Sequence, residues 1–174
     1  MYEVEIRAEV NQEDIKKNID KLNAENDKEI YQEDDYFKCS FDKERNLIFR
    51  VRTKGNKKLL TLKGSSKEET DSAWQEWETE ITDDEILKNI FLTNSYERVV
   101  QIKKHRETYK TNNLEINIDK VERLGTFIEI EKKSNSPKEA KEELVKILED
   151  LGVKKEDIIE EGYVPLMLKK MNDQ

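Results

Sequence analysis

The sequence predicts an α+β domain: an eight-stranded antiparallel β-barrel, or tunnel, with a charged lumen and helices packed on the outside. Three observations lead to it. Charged and apolar residues alternate in Glu3-Val4-Glu5-Ile6-Arg7, Phe49-Arg50-Val51-Arg52, Leu60-Thr61-Leu62-Lys63, Ile116-Asn117-Ile118-Asp119 and Phe127-Ile128-Glu129-Ile130-Glu131. A period of two is that of a strand, and it sends every charge of a segment to one face. The strands mostly succeed one another through short turns, which favours antiparallel pairing. Finally, some of these faces carry carboxylates and others Arg or Lys. If the apolar faces pack outward against helices, the charged faces point inward, and a closed or nearly closed barrel satisfies both demands.

A first strand covers about residues 2–10. Asn11 followed by Asp14 then reads as a cap, and Ile15, Ile19 and Leu22 recur at helical spacing. Residues 29–39 read as a strand ending in Tyr36-Phe37-Lys38-Cys39. Strands near 47–53 and 58–64 flank Lys54-Gly55-Asn56-Lys57, a hairpin turn. A polar loop opens with Gly64-Ser65-Ser66 and ends near Ala73. The strand at 74–81 brings Glu76, Glu78 and Glu80 to one face. Thr82 with Glu85 reads as a capping box for a helix at about 83–92. Strands at 96–109 and 113–120 join at Thr111-Asn112-Asn113, and a strand at 125–132 follows. Ser136-Pro137-Lys138-Glu139 supplies an N-cap, a Pro at the first helical position and a box glutamate. That helix runs to about Leu151 and stops at Gly152. Helices at about 155–160 and from about Pro165 complete the chain.

With 174 residues the chain fits one domain, and no linker, repeat or low-complexity segment divides it. Charged residues make up 41% and hydrophobic ones 34%, a thin apolar core that calls for a second, polar interior. Disorder would produce the same bias but not the regular apolar alternation. A net charge of −8 argues against general nucleic-acid binding, although a local basic groove stays open. Cys39 has no second cysteine in the sequence for a disulfide, no apolar run is long enough to span a membrane, and the residues before Glu3 do not read as a basic-then-apolar leader, so none is expected. The expected location is cytoplasmic.

Strand parity turns Glu3, Glu5, Glu76, Glu78, Glu80, Asp119, Glu129 and Glu131 inward, with Arg7, Arg50, Arg52, Lys63, Lys104 and Arg106. Burying so many charges apart from one another is prohibitive; a wet lumen, where opposite signs neutralise each other and bound ions, makes it tolerable. A polyphosphate with its metal ions fits the mixture. Arg and Lys hold phosphate oxygens, while carboxylates offer hard oxygen ligands to Mg²⁺ or Mn²⁺.

In order along the chain, these segments resemble the CYTH superfamily, the triphosphate tunnel metalloenzymes, and within it the class IV adenylyl cyclase-like branch. Glu3-Val4-Glu5-Ile6-Arg7 is similar to the family's E-x-E-x-K, with Arg in place of Lys. Asp34-Asp35-Tyr36-Phe37 is similar to D-x-Y-F, Phe49-Arg50-Val51-Arg52 to L-R-x-R, and Leu60-Thr61-Leu62-Lys63 to L-T-x-K. Glu76-Trp77-Glu78 resembles the E-x-E strand and Lys104-His105-Arg106 the K-x-R strand. Asp119-Lys120-Val121 with Leu124-Gly125-Thr126-Phe127-Ile128-Glu129-Ile130-Glu131 resembles D-x-V-x-x-L-G-x-F-x-E-x-E. The likeness runs from Met1 to about Tyr163, so residues 1–174 form a single domain of this kind.

The resemblance implies a triphosphate such as ATP, tripolyphosphate or thiamine triphosphate lying in the tunnel. Arg7, Tyr36, Arg50, Arg52, Lys63, Glu78, Lys104 and Arg106 would contact it, and Glu5, Arg7, Lys63 and Arg106 would serve the chemistry. Glu3, Glu5, Asp119, Glu129 and Glu131 would hold Mg²⁺ or Mn²⁺. Either the ribose 3′-hydroxyl attacks the α-phosphorus, as in a cyclase, or water attacks the terminal phosphorus, as in a triphosphatase. A non-catalytic polyphosphate-binding module is the reading of another class, and a homodimer is compatible with all three. Taken singly, each charged pair reads as a solvated strand face or a cross-strand partner. His105 has the opposite parity and should face away from the lumen, Trp74 and Trp77 read as packing, and Cys39 has no base beside it.

Overall fold

The computed structural model describes residues 1–22, 24–40, 47–64, 73–111 and 113–173, with residues 73 and 74 by backbone alone. The loop expected to end near Ala73, the centre of the turn at Asn112 and the packing of Trp74 lie outside what is described. The strands are β1 (Tyr2–Glu9), β2 (Glu25–Cys39), β3 (Leu47–Lys54), β4 (Lys57–Gly64), β5 (Ala73–Glu80), β6 (Tyr96–Lys110), β7 (Glu115–Val121), β8 (Gly125–Ser134) and β9 (Ile158–Ile159). The helices are α1 (Gln12–Ile19), α2 (Asp84–Thr93), α3 (Pro137–Asp150) and α4 (Tyr163–Asn172).

All strand pairs are antiparallel, in the order β5-β4-β3-β2-β6-β7-β8-β1-β9. The curled sheet meets itself where β1 also pairs with β5, at Glu3↔Trp74 and Val4↔Ala73. The expected α+β barrel is thus present, with a ninth strand added. That strand replaces part of the helix expected at about 155–160: a 3-10 turn covers Lys155–Asp157, and Ile158 and Ile159 then pair with Ala8 and Arg7. The reason is the edge of β1, which β5 covers only at its start; β9 takes up backbone groups farther along.

Local signals place most elements. Asn11 caps α1 by accepting from the amides of Glu13 and Asp14, and Ile15 and Ile19 are the buried stripe. Gly55, at φ 57°, makes the two-residue β3–β4 turn that most residue types resist. Two caps differ from expectation. Asp83, not Thr82, accepts from the Ile86 amide at the start of α2. Ser136 makes no side-chain cap; its own amide donates to Ser134 Oγ. α3 stops as expected, with Gly152 at φ 89° and the Val153 amide returning to the Leu148 carbonyl. The last helix begins at Tyr163, ahead of Pro165.

Apolar strand faces do point outward. Val4, Ile6, Ile116, Ile118, Ile128 and Ile130 pack against Ile15 and Ile19 of α1 and Leu144 and Leu148 of α3. Burial of each such side chain stabilises the fold by about 1.5–3 kcal/mol. Phe37, Val51 and Phe91 anchor α2 over β2 and β3, while Tyr163 and Met167 of α4 join Val100, Ile102, Val121 and Phe127. α4 also faces inward: Tyr163, Val164, Pro165 and Leu168 line the central cavity. No helix among the described residues is long and apolar enough to cross a membrane.

Candidate active site

The inner strand faces enclose a cavity of about 720 Å³, lined on its charged side by Glu3, Glu5, Arg7, Arg50, Arg52, Lys63, Glu76, Glu78, Lys104, Arg106, Glu129 and Glu131. Tyr36 lines it too. Strand parity therefore brings nearly all of the sequence-derived site residues to one place. Glu80 does not join them; it is exposed and pairs with Lys57 at 3.7 Å. Asp119 lies behind the wall, fully buried.

β1 and β8 bring three carboxylates together. Glu5 and Glu131 are register partners, Glu3 is two residues away on the same face, and one oxygen from each lies within 4.8 Å of the others. Burial, followed by repulsion from Glu76, pushes Glu3 up to about 7. Burial, followed by repulsion from Glu3, pushes Glu131 up to about 8. Like charges crowded in this way must bind protons or a cation, and hard oxygen donors suit a divalent ion such as Mg²⁺ or Mn²⁺.

Beside this group each cation has acidic or hydroxyl partners, some of them shared. Arg52 forms a two-pronged pair with Asp34, both contacts 2.6 Å. Arg50 reaches Thr61 Oγ1 at 3.1 Å and Glu78 at 3.4 Å, residues set opposite it across β4 and β5. Lys63 pairs with Glu76. Lys104 and Arg106 both donate to Asp119, at 2.8 Å and 2.7 Å, and Arg106 also reaches Glu129. Burial alone would raise Asp119 and Glu129; Arg106 with Lys104 or Arg7 reverses this, holding Glu129 well below the usual range and Asp119 below it. Lys104 goes the other way. Burial, with Arg106 nearby, brings its ammonium down to about 8. Asp119 thus spends its oxygens on Lys104, Arg106 and the Tyr163 hydroxyl, apart from the group of three acids.

Several lining or supporting residues escaped the sequence reading of the site. Asp34, Thr61, Glu115 and Lys133 share strand parity with Tyr36, Lys63, Asp119 and Glu131, so alternation carried their signal. Tyr163 sits on a helix and had none. His105 is exposed, as its parity required, and packs at a tilt against Tyr31 with ring centroids 4.8 Å apart.

Fold and site together define a β-barrel protein with a charged tunnel, in which clustered acids face a set of buried bases. The chain belongs to the CYTH domain family, whose model matches residues 1–163. CYTH proteins are usually triphosphate-processing enzymes that depend on metal ions. A Methanocaldococcus jannaschii protein named as a candidate adenylate cyclase is 32% identical over 173 residues, 95% of this chain and 98% of its own. A conserved hypothetical protein of Pyrococcus furiosus superposes with a TM-score of 0.83 at 32% identity, over 94% of this chain and 99% of that one. A Hippeastrum protein named as a candidate adenylyl cyclase, and described as having a dominant triphosphatase activity, has a TM-score of 0.61 and 19% identity over 87% and 88% of the two chains. At that identity the likeness concerns the fold.

Proposed function

We propose that this protein is a divalent-metal-dependent enzyme acting on a triphosphate held in the tunnel, with conversion of ATP to cyclic AMP and pyrophosphate as its reaction. One observation carries the reading: the crowded acids Glu3, Glu5 and Glu131 share a single cavity with Arg50, Arg52, Lys63, Lys104 and Arg106. The three acids would hold Mg²⁺ or Mn²⁺, with Glu129 beside them. When bound, such an ion neutralises phosphate charge and orients the attacking oxygen. Arg50, Lys63, Lys104 and Arg106 would bind the non-bridging oxygens and offset the charge that builds up as the phosphorus–oxygen bond breaks. Asp34 and Asp119 keep Arg52 and the Lys104–Arg106 pair aimed at the lumen. In the cyclase reaction the ribose 3′-hydroxyl attacks the α-phosphorus and pyrophosphate leaves.

A triphosphatase is the second reading, favoured by the Hippeastrum protein, in which a cyclase name accompanies dominant triphosphatase activity. There water attacks the terminal phosphorus, the diphosphate leaves, and the attacked phosphoryl group becomes orthophosphate. Incubation with ATP, thiamine triphosphate and inorganic tripolyphosphate, each with Mg²⁺ and with Mn²⁺, separates the readings. Cyclic AMP with pyrophosphate identifies the cyclase and free phosphate the triphosphatase. Tight anion binding with no product from any of them would leave a binding module.

A further inference from the structure

Arg7 is buried to 1% exposure, and each nitrogen of its guanidinium has a partner. Nε donates to Glu129 at 3.1 Å, and Nη2 contacts Glu5 and Glu129, each at 2.9 Å. Nη1 donates to the backbone carbonyl of Glu161, 154 residues along the chain and just ahead of α4. The Tyr163 ring covers the same guanidinium, with its centroid 4.7 Å from Arg7 Cζ and 4.9 Å from Lys104 Nζ. Its hydroxyl donates to Asp119 at 2.9 Å, and its edge packs on Phe127 with centroids 5.4 Å apart. One aromatic ring therefore sees two cations, while the phenol holds the carboxylate that both Lys104 and Arg106 use. The forked shape at position 7 is essential here. A lysine offers donors from a single nitrogen and cannot span two carboxylates and a carbonyl on the far side.

We propose that Arg7 and Tyr163 form a latch that fixes segment 161–163 as a wall of the cavity, with Tyr163 acting as a positioning residue for Arg7 and Lys104. Arg7 gives Nη1 to this latch and its other nitrogens to Glu5 and Glu129, instead of to phosphate. Gly162, Tyr163, Val164 and Pro165 all line the cavity, so the latch sets the shape of the site at the end covered by α4. Only its consequence for substrate rests on the triphosphate reading; the latch itself does not.

Hydrogen exchange on the protein without metal or substrate tests it. In Tyr163→Leu and in Arg7→Lys, amides of residues 161–172 should exchange at least about tenfold faster, while β7 and β8 keep their rates. Tyr163→Phe retains the ring and should stay within about threefold of the parent protein. Calorimetry with inorganic tripolyphosphate in EDTA should show affinity weakened about tenfold in Tyr163→Leu and largely restored in Tyr163→Phe. Unchanged exchange at 161–172 in both Tyr163→Leu and Arg7→Lys overturns the latch, as does a rise spread evenly through β7 and β8. Faster exchange with parental tripolyphosphate affinity overturns the positioning role of Tyr163. A parent protein that binds no tripolyphosphate even with Mg²⁺ or Mn²⁺ present sinks the triphosphate reading, and the exchange data still decide the latch.

Discussion

Replacing Glu131 by Gln is expected to make the metal-free protein more stable at high pH. The ligand oxygens of Glu131, Glu3 and Glu5 lie within 4.8 Å of one another, and burial with repulsion from Glu3 moves the Glu131 carboxyl from 4.5 up to about 8. The folded chain holds this proton more tightly than the unfolded chain, so unfolding releases it between those two values. Stability falls as pH climbs from 4.5 to about 8, and the whole penalty is present beyond. At 1.36 kcal/mol per pH unit, the ceiling is roughly 5 kcal/mol. Glu131 is only half-buried, so cavity water screens it; the amide should recover on the order of 2 kcal/mol. Urea melts in EDTA at about pH 5 and about pH 8 measure the difference. Mg²⁺ or Mn²⁺ should stabilise the parent protein more than the variant, because the bound ion needs the carboxylate. A variant less stable than its parent in EDTA at the higher pH, with an unchanged slope against pH, refutes the reasoning.

Three more expectations follow from the same charges and turns. Lys104, brought from 10.5 down to about 8 by burial and Arg106, loses its charge as pH rises through that value, so metal-free tripolyphosphate affinity should fall between about pH 7 and 9, by up to roughly tenfold. A flat titration by calorimetry contradicts this. Arg106→Ala strips Asp119 and Glu129 of their shared partner, and urea melts should show a loss on the order of 3–5 kcal/mol; a loss below about 1 kcal/mol means water replaces the guanidinium. Gly152→Ala, at φ 89°, should cost about 1 kcal/mol in a thermal melt without changing activity, since it only ends α3.

Much of the fold was legible because alternation is a local code that survives without any tertiary knowledge. Glu3, Glu5, Glu129 and Glu131 announce their face through their spacing, and the barrel follows once the apolar faces are given helices to cover them. The parts that stayed hidden depend on contacts distant in sequence. Ile158 and Ile159 read as helical until the free edge of β1 is known, and Asp83 replaces Thr82 as a cap by a shift of one residue that composition does not resolve. Asp119 shared the inward parity of its neighbours, yet its oxygens are taken up by Lys104, Arg106 and Tyr163, a competition visible only once β6, β7 and α4 are placed together. Tyr163 itself carried no periodic signal at all.

The position of β1 in the sheet also governs the order in which the molecule can be built. Its long partner is β8, which does not leave the ribosome until most of the chain has been translated, and β5 offers it only two backbone pairs. β2 to β5 form a meander of sequential neighbours, and β6 and β7 then add beside β2, so these strands can pair during synthesis while the N-terminal strand waits. Glu3 and Glu5 cannot meet Glu131 before that docking, so the candidate metal-binding acids come together in one of the last steps of folding, and a nascent chain stalled short of β8 carries no such centre.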